Sequence, residues 1–106
     1  MKEVAFLPRF HPMIRTGRKV CTTRRSKLGK RGDILLVKGS QPPIKIRILE
    51  VSRTRLMDVA AHFYREEGFD NQGGFVVVWN EIHPRSRFHG NALKTVNLHF
   101  FEVAKS

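Results

Sequence analysis

Two stretches of the chain alternate apolar and polar residues and then fall out of step. Ile44-Lys45-Ile46-Arg47-Ile48 keeps a clean two-residue period, but Leu49 and Val51 continue it on the opposite phase. Val96, Leu98 and Phe100 alternate with Asn97 and His99, and the phase shifts again at Phe101 and Val103. Successive side chains of a strand point to opposite faces, so each shift marks a bulge or a bend. Two bent strands predict a small twisted β-structure that curls on itself rather than a flat sheet. Shorter strand signals lie at Val4-Ala5-Phe6-Leu7, ended by Pro8, and at residues 20–24. Ile34-Leu35-Leu36-Val37 is continuously apolar, which predicts burial on both faces.

Helical spacing occurs three times. Phe10, Met13 and Ile14 form a short stripe that Gly17 is placed to close. From Arg55 to Glu67, the residues Leu56, Val59, Ala60 and Phe63 share one face, with Thr54 as a candidate cap at the start and Gly68 at the end. Phe75, Val78, Trp79 and Ile82 form a third stripe, stopped by Pro84, which outweighs the strand propensity of residues 75–79. The expected class is α+β: a small mixed β-barrel of about five strands with two to three helices.

The chain has 106 residues, 41% of them hydrophobic, enough for one core and a single domain over residues 1–106. No apolar run reaches 18 residues, and Met1-Lys2-Glu3 leads into the first strand signal without a signal-peptide core. The expectation is a cytoplasmic protein with no membrane association. A single cysteine, Cys21, excludes an internal disulfide framework and a cysteine-based zinc site. None of the five histidines has metalloprotease spacing; His62 and Glu66, one helical turn apart, are one pair and not a site. No metal or cofactor is expected.

The net charge of +11 bears on partners rather than fold. From Val4 to Gly32 there is no acidic residue but nine basic ones. A second basic group, Arg85, Arg87 and Lys94, lies near the end with His83 and His89. A polyanion, nucleic acid above all, is the expected partner; a solvated basic face is the plainer alternative. Arg18, Arg25, Lys27, Arg85 and Arg87 are the candidate contacts to it. Phe88, between Arg87 and His89, is the aromatic whose neighbours suit base stacking.

The densest polar segment is Gly17-Arg18-Lys19-Val20-Cys21-Thr22-Thr23-Arg24. In a strand, Thr22 and Arg24 share a face, and Lys19 joins them only from the turn after Gly17. A hydroxyl, an ammonium and a guanidinium so placed suit a phosphate or carboxylate. A lysine crowded by Arg18 and Arg24 is also more available as a base. The bland alternative is a surface strand. Glu67 weighs against it, because the helical wheel puts this carboxylate amid the apolar stripe, in the last turn of its helix. Burial and the negative helix end both oppose its charge there, so it needs a cation or a task unless the helix frays and releases it.

Phe10, Ile14, Gly17, Lys19, Thr22 and Arg24, then Gly32-Asp33 before a strand, Glu67-Gly68-Phe69 after a helix, and Trp79 in the next, resemble the ASCH family over nearly the whole chain. The resemblance implies a PUA-like β-barrel and an association with RNA. Some short bacterial members hydrolyse the amide of N4-acetylcytidine, and their catalytic Lys, Thr and Glu match Lys19, Thr22 and Glu67. By that resemblance Thr22 is the nucleophile, Lys19 its activating base and Glu67 an acid/base or orienting group, with Arg24 holding the site or the substrate. Three functions follow as expectations: an RNA-binding domain whose pocket takes a nucleotide or nucleobase, a small amidohydrolase or RNA hydrolase using the same pocket, and a basic component of a ribonucleoprotein. The last would explain the charge but not Glu67.

Overall fold

The computed structural model describes residues 1–105. Among them the strands are β1 (Glu3–Val4), β2 (Cys21–Arg24), β3 (Ile34–Val37), β4 (Lys45–Arg55) and β5 (Thr95–Val103). The helices are α1 (His11–Thr16), α2 (Leu56–His62), α3 (Gln72–Ile82) and α4 (Phe88–Asn91), with a 3-10 turn at Pro8–Phe10. The strands form one mixed sheet in the order β1-β3-β4-β5-β2. β1 runs parallel to β3, and the other pairs are antiparallel. The expected α+β class is what the chain adopts.

Closure into a barrel is not. β1 and β2 stand at opposite edges and do not pair. The first strand stops at Val4, and the Pro8–Phe10 turn carries the chain away before a ladder to β2 can form. Side chains bridge the opening instead: Arg24 Nη2 donates to the Ala5 carbonyl at 2.7 Å, and its guanidinium lies 5.0 Å from the centre of the Phe6 ring.

The two expected phase shifts have different outcomes: β5 pairs from Thr95 to Val103 without skipping a residue and leaves Val103 exposed. The β4–β5 register slips between Ile48 and Glu50, a bulge at the expected place. The result is two apolar clusters. One gathers Phe10, Ile14, Leu35, Ile46, Ile48, Val78 and Phe101; the other gathers Leu56, Val59, Phe75, Trp79, Val96 and Leu98. On β5, Val96 and Leu98 serve the second cluster and Phe101 the first, so the change of face hands one strand from one core to the other. Phe69 packs against both.

Several local expectations are corrected. β3 is not buried on both faces, since Ile34 is exposed and Leu36 half-buried. Asn97 and His99 are buried rather than solvated, because the loop after β2 lies over them: Asn97 Nδ2 donates to the Arg25 carbonyl, and His99 Nε2 accepts from the Leu28 N–H. α2 starts without a side-chain cap from Thr54 and ends at His62, five residues before Glu67. Tight turns then carry the chain through residues 63–68, with the N–H groups of Glu67 and Phe69 donating to the carbonyls of Phe63 and Tyr64.

Gly17 closes α1 in the left-handed conformation at φ 80°, and its N–H donates to Ile14. A Cβ there would meet nothing within 4 Å, so Gly17→Ala isolates the backbone cost. Chemical denaturation should find that variant less stable by about 1–2 kcal/mol with an unchanged denaturant slope.

Candidate functional site

The bend at Gly17 returns the chain so that the Arg18 and Lys19 N–H groups both donate to the Met13 carbonyl. Lys19 therefore lies in the turn before β2, the placement expected if it is to join Thr22 and Arg24. The turn at 63–68 docks on the same place: the N–H groups of Val20 and Cys21 donate to the Glu66 carbonyl at 2.8 and 3.1 Å. Gly68, at φ 103°, lies against Lys19, where a Cβ would stand 3.1 Å from Met13 Sδ and 3.5 Å from Lys19 Cβ. A glycine is needed on both counts, close approach and backbone conformation.

These two turns bring Lys19 and Glu67 together, each no more than 4% exposed. Lys19 Nζ donates to Glu67 Oε1 at 2.9 Å and to the Glu67 carbonyl at 2.8 Å. Two of the three ammonium donors are thus engaged, leaving one. Its charge also faces the Phe10 ring at 4.6 Å. The other carboxylate oxygen, Oε2, accepts from Thr23 Oγ1 at 2.5 Å. Thr22 Oγ1 accepts from Arg24 Nε at 3.2 Å, which agrees with their expected common face. Burial pulls the Arg24 guanidinium below its ordinary value, and the Glu67 charge partly offsets this. Cys21 is no nucleophile here, because burial and then the Glu67 charge push its thiol far above the ordinary range.

A cavity of about 330 Å³ opens above this cluster, at the seam left by the unclosed sheet. Lys19, Thr22, Thr23, Arg24 and Glu67 form its polar part. Its walls are aromatic: Phe6, Phe10, Phe69, Phe75 and Trp79. His83 extends the wall, its ring stacked on Trp79 at 3.8 Å between centroids and 22° between planes. Desolvation pulls the His83 ring below its ordinary value, opposed by a hydrogen bond to the Trp79 carbonyl.

Of the residues singled out from the sequence, Lys19, Thr22, Arg24 and Glu67 are brought together. Arg18 is not: it is exposed and pairs with Asp70 at 2.5 Å, so it does not crowd Lys19. Arg25 turns the other way and donates to Ser86 Oγ at 3.1 Å. Lys27, Arg85 and Arg87 are exposed and outside the cavity. Phe88 cannot stack on a base from the surface, being 8% exposed and packed in the second cluster, its N–H donating to Asn80 Oδ1. Sequence reasoning missed Thr23, because regular alternation turns it away from Thr22; on an edge strand both residues reach the opening. It also missed the aromatic wall, for which the four-residue spacing of Trp79 and His83 was an available signal. No cluster of three or more His, Cys, Asp or Glu able to hold a metal occurs among the described residues. No helix among them is long and apolar enough to cross a membrane.

No family model and no curated protein matches the chain. Solved structures do. Protein EF3133 from Enterococcus faecalis, of the DUF984 family, superposes with a TM-score of 0.74 at 20% identity, covering 98% of this chain and 80% of its own. An ASCH domain from Lactobacillus crispatus gives 0.65 at 18% identity, covering 88% of this chain and 69% of that one. ZmASCH from Zymomonas mobilis gives 0.65 at 16%, covering 96% and 70%. The chain has an ASCH-like fold.

Two measurements check this site. Lys19→Met leaves a buried carboxylate without its cation and should cost about 3–5 kcal/mol, while Lys19→Met with Glu67→Gln should recover most of it. Denaturation of both variants tests the pair. The second concerns His99, whose charged form is disfavoured by burial, partly opposed by the carbonyls of Thr22 and Asn97. Its folded value lies below the ordinary 6.5, so its contribution to stability is complete above about pH 6.5 and lost as pH falls toward the lowered value. The loss approaches about 1.4 kcal/mol per pH unit for one histidine. His99→Gln should flatten that slope in part, the depressed His83 supplying the remainder.

Proposed function

We propose that the chain is an RNA-binding domain whose cavity receives one nucleobase or nucleotide. The observation that carries this reading is the pairing of aromatic walls with a hydrogen-bonding floor. At about 330 Å³ the cavity is at the small end of ligand sites, which suits a base or nucleoside. A base offers two π-faces to the rings of the wall and a donor–acceptor edge to the free Lys19 donor, the threonines and Arg24. The charge supplies the long-range attraction: among the described residues only Arg9, Arg18, Lys19 and Arg47 are in ion pairs, of the twenty lysines and arginines.

The Lys19–Glu67–Thr23 network also favours a second reading, hydrolysis of an acylated base such as N4-acetylcytidine. A threonine hydroxyl would add to the acyl carbonyl and yield its proton. The exocyclic amine would leave as the proton is returned, and water would then cleave the resulting ester. The ASCH resemblance makes Thr22 the nucleophile with Lys19 as base. The hydrogen bonds favour Thr23 instead, its hydroxyl already donating to Glu67 while Lys19 steadies the carboxylate.

Salt titration of binding to single-stranded RNA tests the first reading. Contact with about five phosphates gives log K a slope near −3.5 against log[salt], and a flat response would refute it. Release of cytidine from N4-acetylcytidine tests the second. Glu67→Gln should lower turnover at least about 100-fold, and comparison of Thr22→Val with Thr23→Val identifies the nucleophile. Turnover unaffected by all three excludes these roles.

A further inference from the structure

A second cavity, of about 190 Å³, lies on the far side of Trp79, which lines both. Its chemistry is different. Arg25, Lys94, Ser86, Asn91 and Thr95 surround it, and no carboxylate does. The wall between the cavities is pinned by one residue, Ser86: its carbonyl accepts from the Trp79 indole N–H at 2.9 Å, and its hydroxyl accepts from Arg25 Nη1 at 3.1 Å. The Asn97 amide holds the Arg25 carbonyl from below. Arg24 and Arg25, adjacent in the chain, therefore serve opposite sides of this wall, one in each cavity. Neither Arg25 nor Lys94 has an acidic partner among the described residues.

We infer that this second cavity binds the phosphodiester next to the nucleotide whose base enters the first. Two cations, two hydroxyls and a side-chain amide around a small, open polar hollow supply donors to the oxygens of a phosphate, and no carboxylate there repels them. A guanidinium already tethered by Ser86, on a residue whose main-chain carbonyl Asn97 holds, loses less freedom on binding than a free surface arginine. The hollow is small, and Trp79 is the one aromatic side chain in its lining against five in its neighbour's, which suits a backbone group rather than a second base. The consequence is a ligand with a chain: a nucleotide within RNA, or one bearing a phosphate, is preferred to the bare nucleoside. This inference rests on the nucleobase reading of the first cavity.

The test compares a nucleoside with a trinucleotide containing it, by calorimetry, for the wild type and for Arg25→Ala and Lys94→Ala. Each substitution should lower the ratio of trinucleotide to nucleoside affinity about tenfold and reduce the magnitude of the trinucleotide salt slope by about 0.7. Trp79 is the only tryptophan, so its fluorescence reports on both cavities. It should respond to inorganic phosphate in the wild type and lose that response in the double variant. Ser86→Ala, which frees Arg25 without removing charge, should weaken trinucleotide binding while leaving the salt slope unchanged, and thereby separates positioning from charge. Unchanged ratio and slope in both charge variants, with nucleoside binding intact, overturns the subsite alone. A wild type that binds neither nucleoside nor trinucleotide overturns the nucleobase reading and the subsite together.

Discussion

The ion pair between Lys19 and Glu67 is the contact on which the arrangement of this molecule turns. Neither residue belongs to a regular element; both sit in turns, and each turn is held by backbone hydrogen bonds to the other's surroundings. A buried pair of this kind contributes little net stability, because removing two charges from water costs about as much as their attraction returns. What the pair does is specify. An ammonium bonded at once to the carboxylate and the main-chain carbonyl of Glu67 fixes where residues 63–68 meet the start of β2. A hydrophobic pair of equal volume could fill that space without setting its register. The charge kept in the interior lies at the floor of a cavity.

That cavity exists because the sheet does not close. A complete ladder between β1 and β2 would bury the edge of β2 and fill the seam with backbone. With β1 cut short, β2 keeps a free edge, and side chains on both of its faces reach the opening. The two apolar clusters approach each other there, contributing Phe10 and Val78 from one and Phe75 and Trp79 from the other. The packing of two half-cores around a missing seam thus explains both the aromatic wall and the polar floor. Arg24 spans the gap through the Ala5 carbonyl and lies within it.

The basic stretch that dominates the sequence is not one surface. Arg9, Arg15 and Arg18 are engaged by Glu81, the Pro42 carbonyl and Asp70. Lys19 is inside. Arg24 and Arg25 diverge around Trp79, and the loop that follows is laid over β5 by Asn97 and His99. Charge that is contiguous in sequence is divided in space between internal pairing, a cavity floor and a second hollow. The excess still sets the long-range field, but only a few of its members line a cavity.

Much of the fold was legible because it rests on local rules. The strands at 44–48 and 96–100, the phase shift near Ile48, the Gly17 close of α1 and the helical stripe that begins at Phe75 are all readable residue by residue. So was the need of Glu67 for a partner, although the helix that suggested it ends at His62 and the burial comes from a turn. Strand closure, the aromatic wall, the burial of Phe88 and His99, and the hydrogen bond from Thr23 to Glu67 were not legible. Each depends on which distant segment covers a given face, and such contacts leave no period in the chain. The sequence by itself determined most of the elements, the bulge near Ile48 and the residues able to do chemistry. Only the tertiary structure decided which of them face one another, because a free sheet edge and two meeting turns, rather than any local preference, place Lys19, Thr23 and Glu67 within hydrogen-bonding distance.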